Sequence, residues 1–275
     1  MEKLQAALAT ARQARSQTRH ERKDVVASSS SRPRSNKPQS DRHLWSDLHE
    51  LEPNSRVLRE HRVVSRTASK EATPFDILRT KILLQMRQNG WTRLAITSPL
   101  PSSGKTTASC NLALGMGRQK ELKSMLLDLD IRDPSIGEFF DHTPEHSISS
   151  LLQGDVSFAD QAMRIGENLA VSMAGKAELD PTRIMLAEQT SEVIDGIQEL
   201  YKPDIMIFDL PSVLVNDDTR AFLKNVDCAL IISRANTTRF SQLDACEREI
   251  SEHTNVLGVV LNACRHGYDG YESDG

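Results

Sequence analysis

Aromatic residues are scarce in this 275-residue chain, at 4% of the total, with three tyrosines, Tyr201, Tyr268 and Tyr271. Long apolar runs are missing too. The longest, residues 228–232 and 256–261, fall far below the roughly 20 residues a membrane-crossing helix needs, so no transmembrane helix is predicted. The first residues, MEKLQAALATARQARSQTRHERK, hold no apolar run ending in a small-residue cleavage site, and a secretory leader is not expected. Cys110, Cys228, Cys246 and Cys264 are widely spaced, without a CxxC pair, which predicts reduced, structural thiols. The eight histidines form no HExxH or similar cluster, so a zinc enzyme is set aside. No helix-turn-helix, zinc finger or aromatic-interleaved basic stripe is visible, and no nucleic-acid partner is expected.

Charge is present but unevenly divided. Residues 1–70 carry net +7 and the remainder net −11, a basic arm on an acidic domain. Within the arm, residues 27–41, ASSSSRPRSNKPQSD, have too few apolar groups to repay the entropy of ordering and are expected to be a disordered linker. Leu4, Ala7, Leu8 and Ala11 fall at helical spacing and allow a short amphipathic helix. The expected division is therefore an arm over 1–70, a domain over 71–265 and a tyrosine-bearing tail over 266–275, so that removing residues 1–66 should leave the domain's binding functions intact.

From about residue 74, short apolar runs alternate with helical-period segments, the pattern of βαβ units and a parallel sheet. Strands are predicted at 94–97, 124–129, 169–173, 205–209, 228–233 and 256–262, and helices at 75–88, 105–120, 183–201, 218–225 and 241–253. The class is α/β, with a parallel sheet flanked by helices in three layers. RLAITSPLPSSGKTTASC then reads as strand, loop and helix, with Gly104, Lys105 and Thr106 at the helix start. Backbone N–H groups there favour anions, Lys105 can neutralise phosphate oxygens, and the Thr106 hydroxyl can ligate Mg²⁺. Pro99 occupies the first glycine position of the usual GxxxxGK[ST] pattern. Asp128 and Asp130 end one apolar strand and Asp209 another, which brings three carboxylates to the carboxyl edge of the sheet, where ligands bind in open α/β folds.

The segments SPLPSSGKTT, LLDLDIRDP and IMIFDLP resemble the Walker A, Walker A′ and Walker B motifs of bacterial tyrosine kinases, within the deviant P-loop ATPases that include septum-positioning and partition proteins. Leu100 stands where partition-type relatives carry a signature lysine. The resemblance spans roughly residues 74–265 and implies a P-loop NTPase fold and an ATP- and Mg²⁺-dependent tyrosine autokinase in capsule or exopolysaccharide export. By position it implies phosphate binding by Ser102, Ser103, Gly104, Lys105, Thr106 and Thr107, adenine contact at Asn262, and metal ligation by Thr106, Asp128, Asp130 and Asp209. Lys105, Asp128, Asp130 and Arg132 become the catalytic candidates, with Asp128 as base toward the incoming phenol, and Tyr268 and Tyr271 the phosphate acceptors. It further implies a homo-oligomer joined through the PFDILRT helix, where Arg79 and Thr80 remain of the family's polar signature and Thr73 and Asp76 replace its Glu and first Arg. A membrane-embedded polysaccharide co-polymerase would recruit the cytoplasmic chain to the membrane's inner face. A nucleotide-switched export scaffold, or a partition-type positioning ATPase, remains an alternative.

Overall fold

The structure, a computed structural model, describes residues 44–264. The basic segment before residue 44 and the tail tyrosines Tyr268 and Tyr271 lie outside it.

Eight strands form one sheet: β1 (His49–Glu50), β2 (Arg93–Thr97), β3 (Ser124–Asp128), β4 (Met163–Ile165), β5 (Leu169–Ser172), β6 (Ile205–Asp209), β7 (Cys228–Arg234) and β8 (Asn255–Asn262). Their order is β1-β4-β5-β3-β6-β2-β7-β8, and every pairing is parallel except β4 with β5. The central strands carry near-continuous apolar runs, LAI, MLL and IMIF, because both of their faces are covered. Alternate side chains enter two separate cores. Leu94, Ile96, Leu126, Ile207 and Leu230 pack with α2 (Thr73–Asn89) and α3 (Lys105–Gly117). Met125, Leu127, Met206, Phe208 and Ile231 face α8 (Glu188–Tyr201), α9 (Asp218–Leu223) and α10 (Phe240–Ser251). Short helices α1 (Ser55–Glu60), α4 (Ile136–Phe140), α5 (Ile148–Leu152), α6 (Phe158–Gln161) and α7 (Pro181–Leu186) complete the chain.

Two expectations need correction. Residues 44–70 are not part of the arm: Trp45, Leu48, Leu58 and Val63 are buried, β1 pairs with β4, and the Trp45 indole donates to the Tyr201 carbonyl at 2.9 Å. The strap after α1 is fastened to α3 by one buried side chain. Asn111 Oδ1 accepts from the amides of Val64 and Ser65 at 2.9 and 3.1 Å and from the Ser65 hydroxyl at 2.9 Å, while Asn111 Nδ2 donates to the carbonyls of Arg62 and Thr107. The single helix expected over 183–201 is two, because Ala187 is extended at φ −60, ψ 141. There the Thr190 hydroxyl donates to the Ile184 carbonyl at 2.7 Å, a side chain taking an acceptor that a continuing helix would use.

Candidate functional site

Strand β2 ends at Thr97, and the backbone turns through Ser102 (φ 57) and Gly104 (φ 90) before α3 begins at Lys105. Gly104 is needed on two grounds. Its left-handed conformation suits a residue without a side chain, and a Cβ there would lie 2.2 Å from Asn262 Nδ2. No side chain caps the N-terminus of α3, so its first amides are left for an anion, where the helix dipole favours negative charge.

The loop is braced from outside. Ser98 and Ser103 hydroxyls both donate to the Leu100 carbonyl, at 2.7 and 2.8 Å. Arg234 Nη1 donates to the Ser102 carbonyl at 2.6 Å and Asn262 Nδ2 to the Ser103 carbonyl at 2.9 Å. Asn262, expected at the adenine, also braces the 98–104 loop through this bond. Arg234, Ser212 and Ser98 were not singled out by sequence. Arg234 at the end of β7 carries no local signal, since its partner is a carbonyl 132 residues away.

Parallel pairing of β3 with β6 sets Asp128 beside Asp209. Thr106 Oγ1 donates to Asp209 Oδ2 at 2.7 Å and Ser109 Oγ to Asp209 Oδ1 at 2.8 Å. Asp128 is fully buried: Oδ2 accepts from the Ile136 amide at 3.2 Å, and Oδ1 has no hydrogen-bond partner. Burial first, then the adjacent Asp209 charge, pushes the Asp128 carboxyl well up. Burial also raises Asp209, against the opposing pull of Lys105, Thr106 and Ser109. Asp130 is pushed up to about 6, mainly by burial, with Lys105 drawing it back down. Cys110 lies beneath this cluster, its thiol raised by burial and by both aspartates, which fits an inert structural role.

Lys105 is nearly buried, with Nζ 3.4 Å from Ser212 Oγ and 3.9 Å from Asp130 Oδ2. A cleft of about 360 Å³ opens over it, lined by Ser102, Gly104, Thr106, Thr107, Asp130 and Arg132 among others. Of the two aspartates that follow β3's apolar run, Asp130 lines the cleft and Asp128 is buried. Arg132 forms a two-pronged ion pair with Asp218, Nε to Oδ2 at 2.8 Å and Nη2 to Oδ1 at 3.0 Å.

Among the described residues, no three His, Cys, Asp or Glu side chains converge closely enough to hold a metal ion by themselves. The cluster nevertheless fits a hydrated Mg²⁺, which takes one or two carboxylates and completes its shell with waters and phosphate oxygens. The unpartnered Asp128 Oδ1 and three carboxyls raised first by burial, two of them also by neighbouring carboxylates, are what such a cation would relieve.

No family model matches the chain. It is 27% identical over 201 residues to the putative tyrosine-protein kinase EpsB of Ralstonia nicotianae, covering 70% of this chain and 26% of that protein, so it spans about a quarter of that relative's length. It is 25% identical over 200 residues to the tyrosine-protein kinase CpsD of Streptococcus agalactiae, covering 72% and 84%. Among solved structures, the VpsO kinase domain superposes with a TM-score of 0.63 at 25% identity, covering 70% of this chain and 96% of that one. The kinase domain of Escherichia coli ETK gives 0.66 at 21% identity, over 75% and 81%, a likeness of fold.

Proposed function

Because the chain belongs to the bacterial tyrosine kinase family of P-loop ATPases, we propose that it is an ATP-dependent protein-tyrosine autokinase regulating capsule or exopolysaccharide polymerisation and export. The observation that carries this is the joining of Thr106 to Asp209 beside Lys105 and Asp130 at the mouth of one cleft. These are the groups phosphoryl transfer asks for: a cation on the phosphates, a hydroxyl and carboxylate for the metal, and a base for the nucleophile.

In this reading the amides of the 102–107 loop and Lys105 bind the phosphates of ATP. Thr106, with Asp209 behind it and Asp128 and Asp130 beside it, forms the metal-binding edge. A Mg²⁺ held there would supply charge neutralisation to the phosphates. Asp130 is the carboxylate of this cluster that lines the cleft, so its Oδ takes the proton of an incoming tyrosine hydroxyl. This moves the role of base from Asp128 to Asp130. Tyr268 and Tyr271 are the acceptors, in a neighbouring copy, and a membrane-embedded co-polymerase is the activating partner that brings the chain to the membrane's inner face.

Intact-mass and peptide mass spectrometry with Mg·ATP tests this directly. Phosphate should appear on the tail tyrosines, vanish in Lys105→Met, and vanish in Tyr268→Phe/Tyr271→Phe. ATP binding without phosphotyrosine, with and without a co-polymerase partner, would point instead to a nucleotide-switched scaffold.

A further inference from the structure

Asp218 is wholly buried at the start of α9, yet no phosphate- or metal-binding pattern in the sequence includes it. Both of its oxygens are committed. Oδ2 accepts from Arg132 Nε, while Oδ1 accepts from Arg132 Nη2 and from the Thr182 hydroxyl of α7. Its amide donates to Asn216 Oδ1 at 3.1 Å, and Asn216 lines the cleft along with Arg132. The loop that carries Arg132 is tied down a second time, by the Glu178 amide on the Ile131 carbonyl at 2.8 Å.

A two-pronged arginine–carboxylate pair fixes the plane of the guanidinium as well as its position. Here the carboxylate end is sealed from water and the arginine side chain is 42% exposed, so the pair is anchored at its buried end and presents its cation at the cleft. With Nε and Nη2 engaged by Asp218, the guanidinium keeps Nη1 for an anion. Asp180 and Asp130 add to the negative field around it, which keeps the cation in place without a second hydrogen-bonded carboxylate.

We infer that Asp218 is a positioning residue: through Arg132 it holds a guanidinium against the transferring phosphate of bound nucleotide, and it links the loop after β6 to the loop after β3. This rests on the proposed phosphoryl-transfer reading. The pair does not itself bind the adenine or the metal, so its contribution belongs to turnover and not to ADP affinity.

The test is ATP turnover, measured as ADP formation so that it does not depend on any acceptor tyrosine, together with ADP affinity, in Asp218→Asn, Arg132→Ala and the double variant. Each single change should lower kcat about 10- to 100-fold, as a misplaced catalytic group does, with ADP affinity close to wild type. The double variant should be no worse than the poorer single one, since the two residues act as a unit. Wild-type kcat in folded Asp218→Asn, or losses that multiply in the double variant, would overturn the inference and leave Asp218 a packing residue between α7 and α9. Should Asp218→Asn not fold, Arg132→Lys decides: it keeps the charge without the fork, so a loss matching Arg132→Ala supports the role and wild-type turnover refutes it. Wild-type protein that binds no ATP would remove the kinase reading as well, whereas wild-type turnover with indifferent variants removes this role alone.

Discussion

Asp130 and Gly104 show how much chemistry rests on single positions. The Asp130 carboxyl is raised to about 6 in the fold against roughly 3.9 in an unfolded chain. The folded state thus holds its proton more tightly, and the stability associated with that proton is present at low pH and lost as pH rises from about 4 through 6. Asp130→Asn should therefore stabilise the unliganded domain at pH 7, on the order of 2 kcal/mol, and have little effect near pH 4, while abolishing phosphoryl transfer. Denaturant melts at the two pH values check the sign. At Gly104 two costs combine, the left-handed backbone and the collision with Asn262. Gly104→Ala should lower stability by about 1–3 kcal/mol and weaken nucleotide binding. Adding Asn262→Ala should recover part of the stability, because it removes the collision but not the strain. That these residues would matter was legible in GKT and DLD. That Asn262 would brace the loop was not, since its partner is the Ser103 carbonyl, 159 residues away.

At the scale of elements, the six strands read from apolar runs all form, because strands such as IMIFD and CALIISR are buried on both faces. What escaped notice were β1 and β4, of two and three residues, and α1, α4, α5 and α6, none longer than six residues. Elements that short carry no full period of apolar spacing to detect. The strap over 44–66 hid behind its charge, although Leu58 and Val63 are buried and Asn111 grips its backbone. Removing residues 1–43 should leave the melting temperature unchanged, whereas removing 1–66 should destabilise the domain by several kcal/mol, at about 1.5–3 kcal/mol for each large buried side chain. Equal melting temperatures for the two truncations would place the strap outside the cooperative unit. Within the subunit, helix α2 has buried Arg79 donating to the Gly115 carbonyl at 2.6 Å, and Asp76 pairing with both Arg79 and Arg118. Arg79→Ala should accordingly lower the stability of the single subunit at concentrations too low for assembly, which a thermal melt across a dilution series would read.

For the molecule as a whole, ligand binding and folding are coupled through one sheet edge, since α3, β3 and β6 supply both the site and the centre of the core. Nucleotide with Mg²⁺ at 100-fold over its Kd should stabilise by about 2.7 kcal/mol, or roughly 5–10 °C for a domain of this size, and Lys105→Met should lose that shift. Residue order is enough to read the α/β class, the strand-loop-helix around Lys105 and the arrival of Asp128, Asp130 and Asp209 at one edge. Strand burial and the carboxyl-edge rule act locally, and residue order alone expresses them. Long-range packing settles which carboxylate lines the cleft, that Asn262 and Arg234 brace the 98–104 loop, that residues 44–66 pack into the domain, and that Asp218 reaches Arg132 across 86 residues. Those outcomes depend on which side chains burial leaves to satisfy one another's hydrogen bonds, and that pairing exists only once the sheet has brought distant segments together.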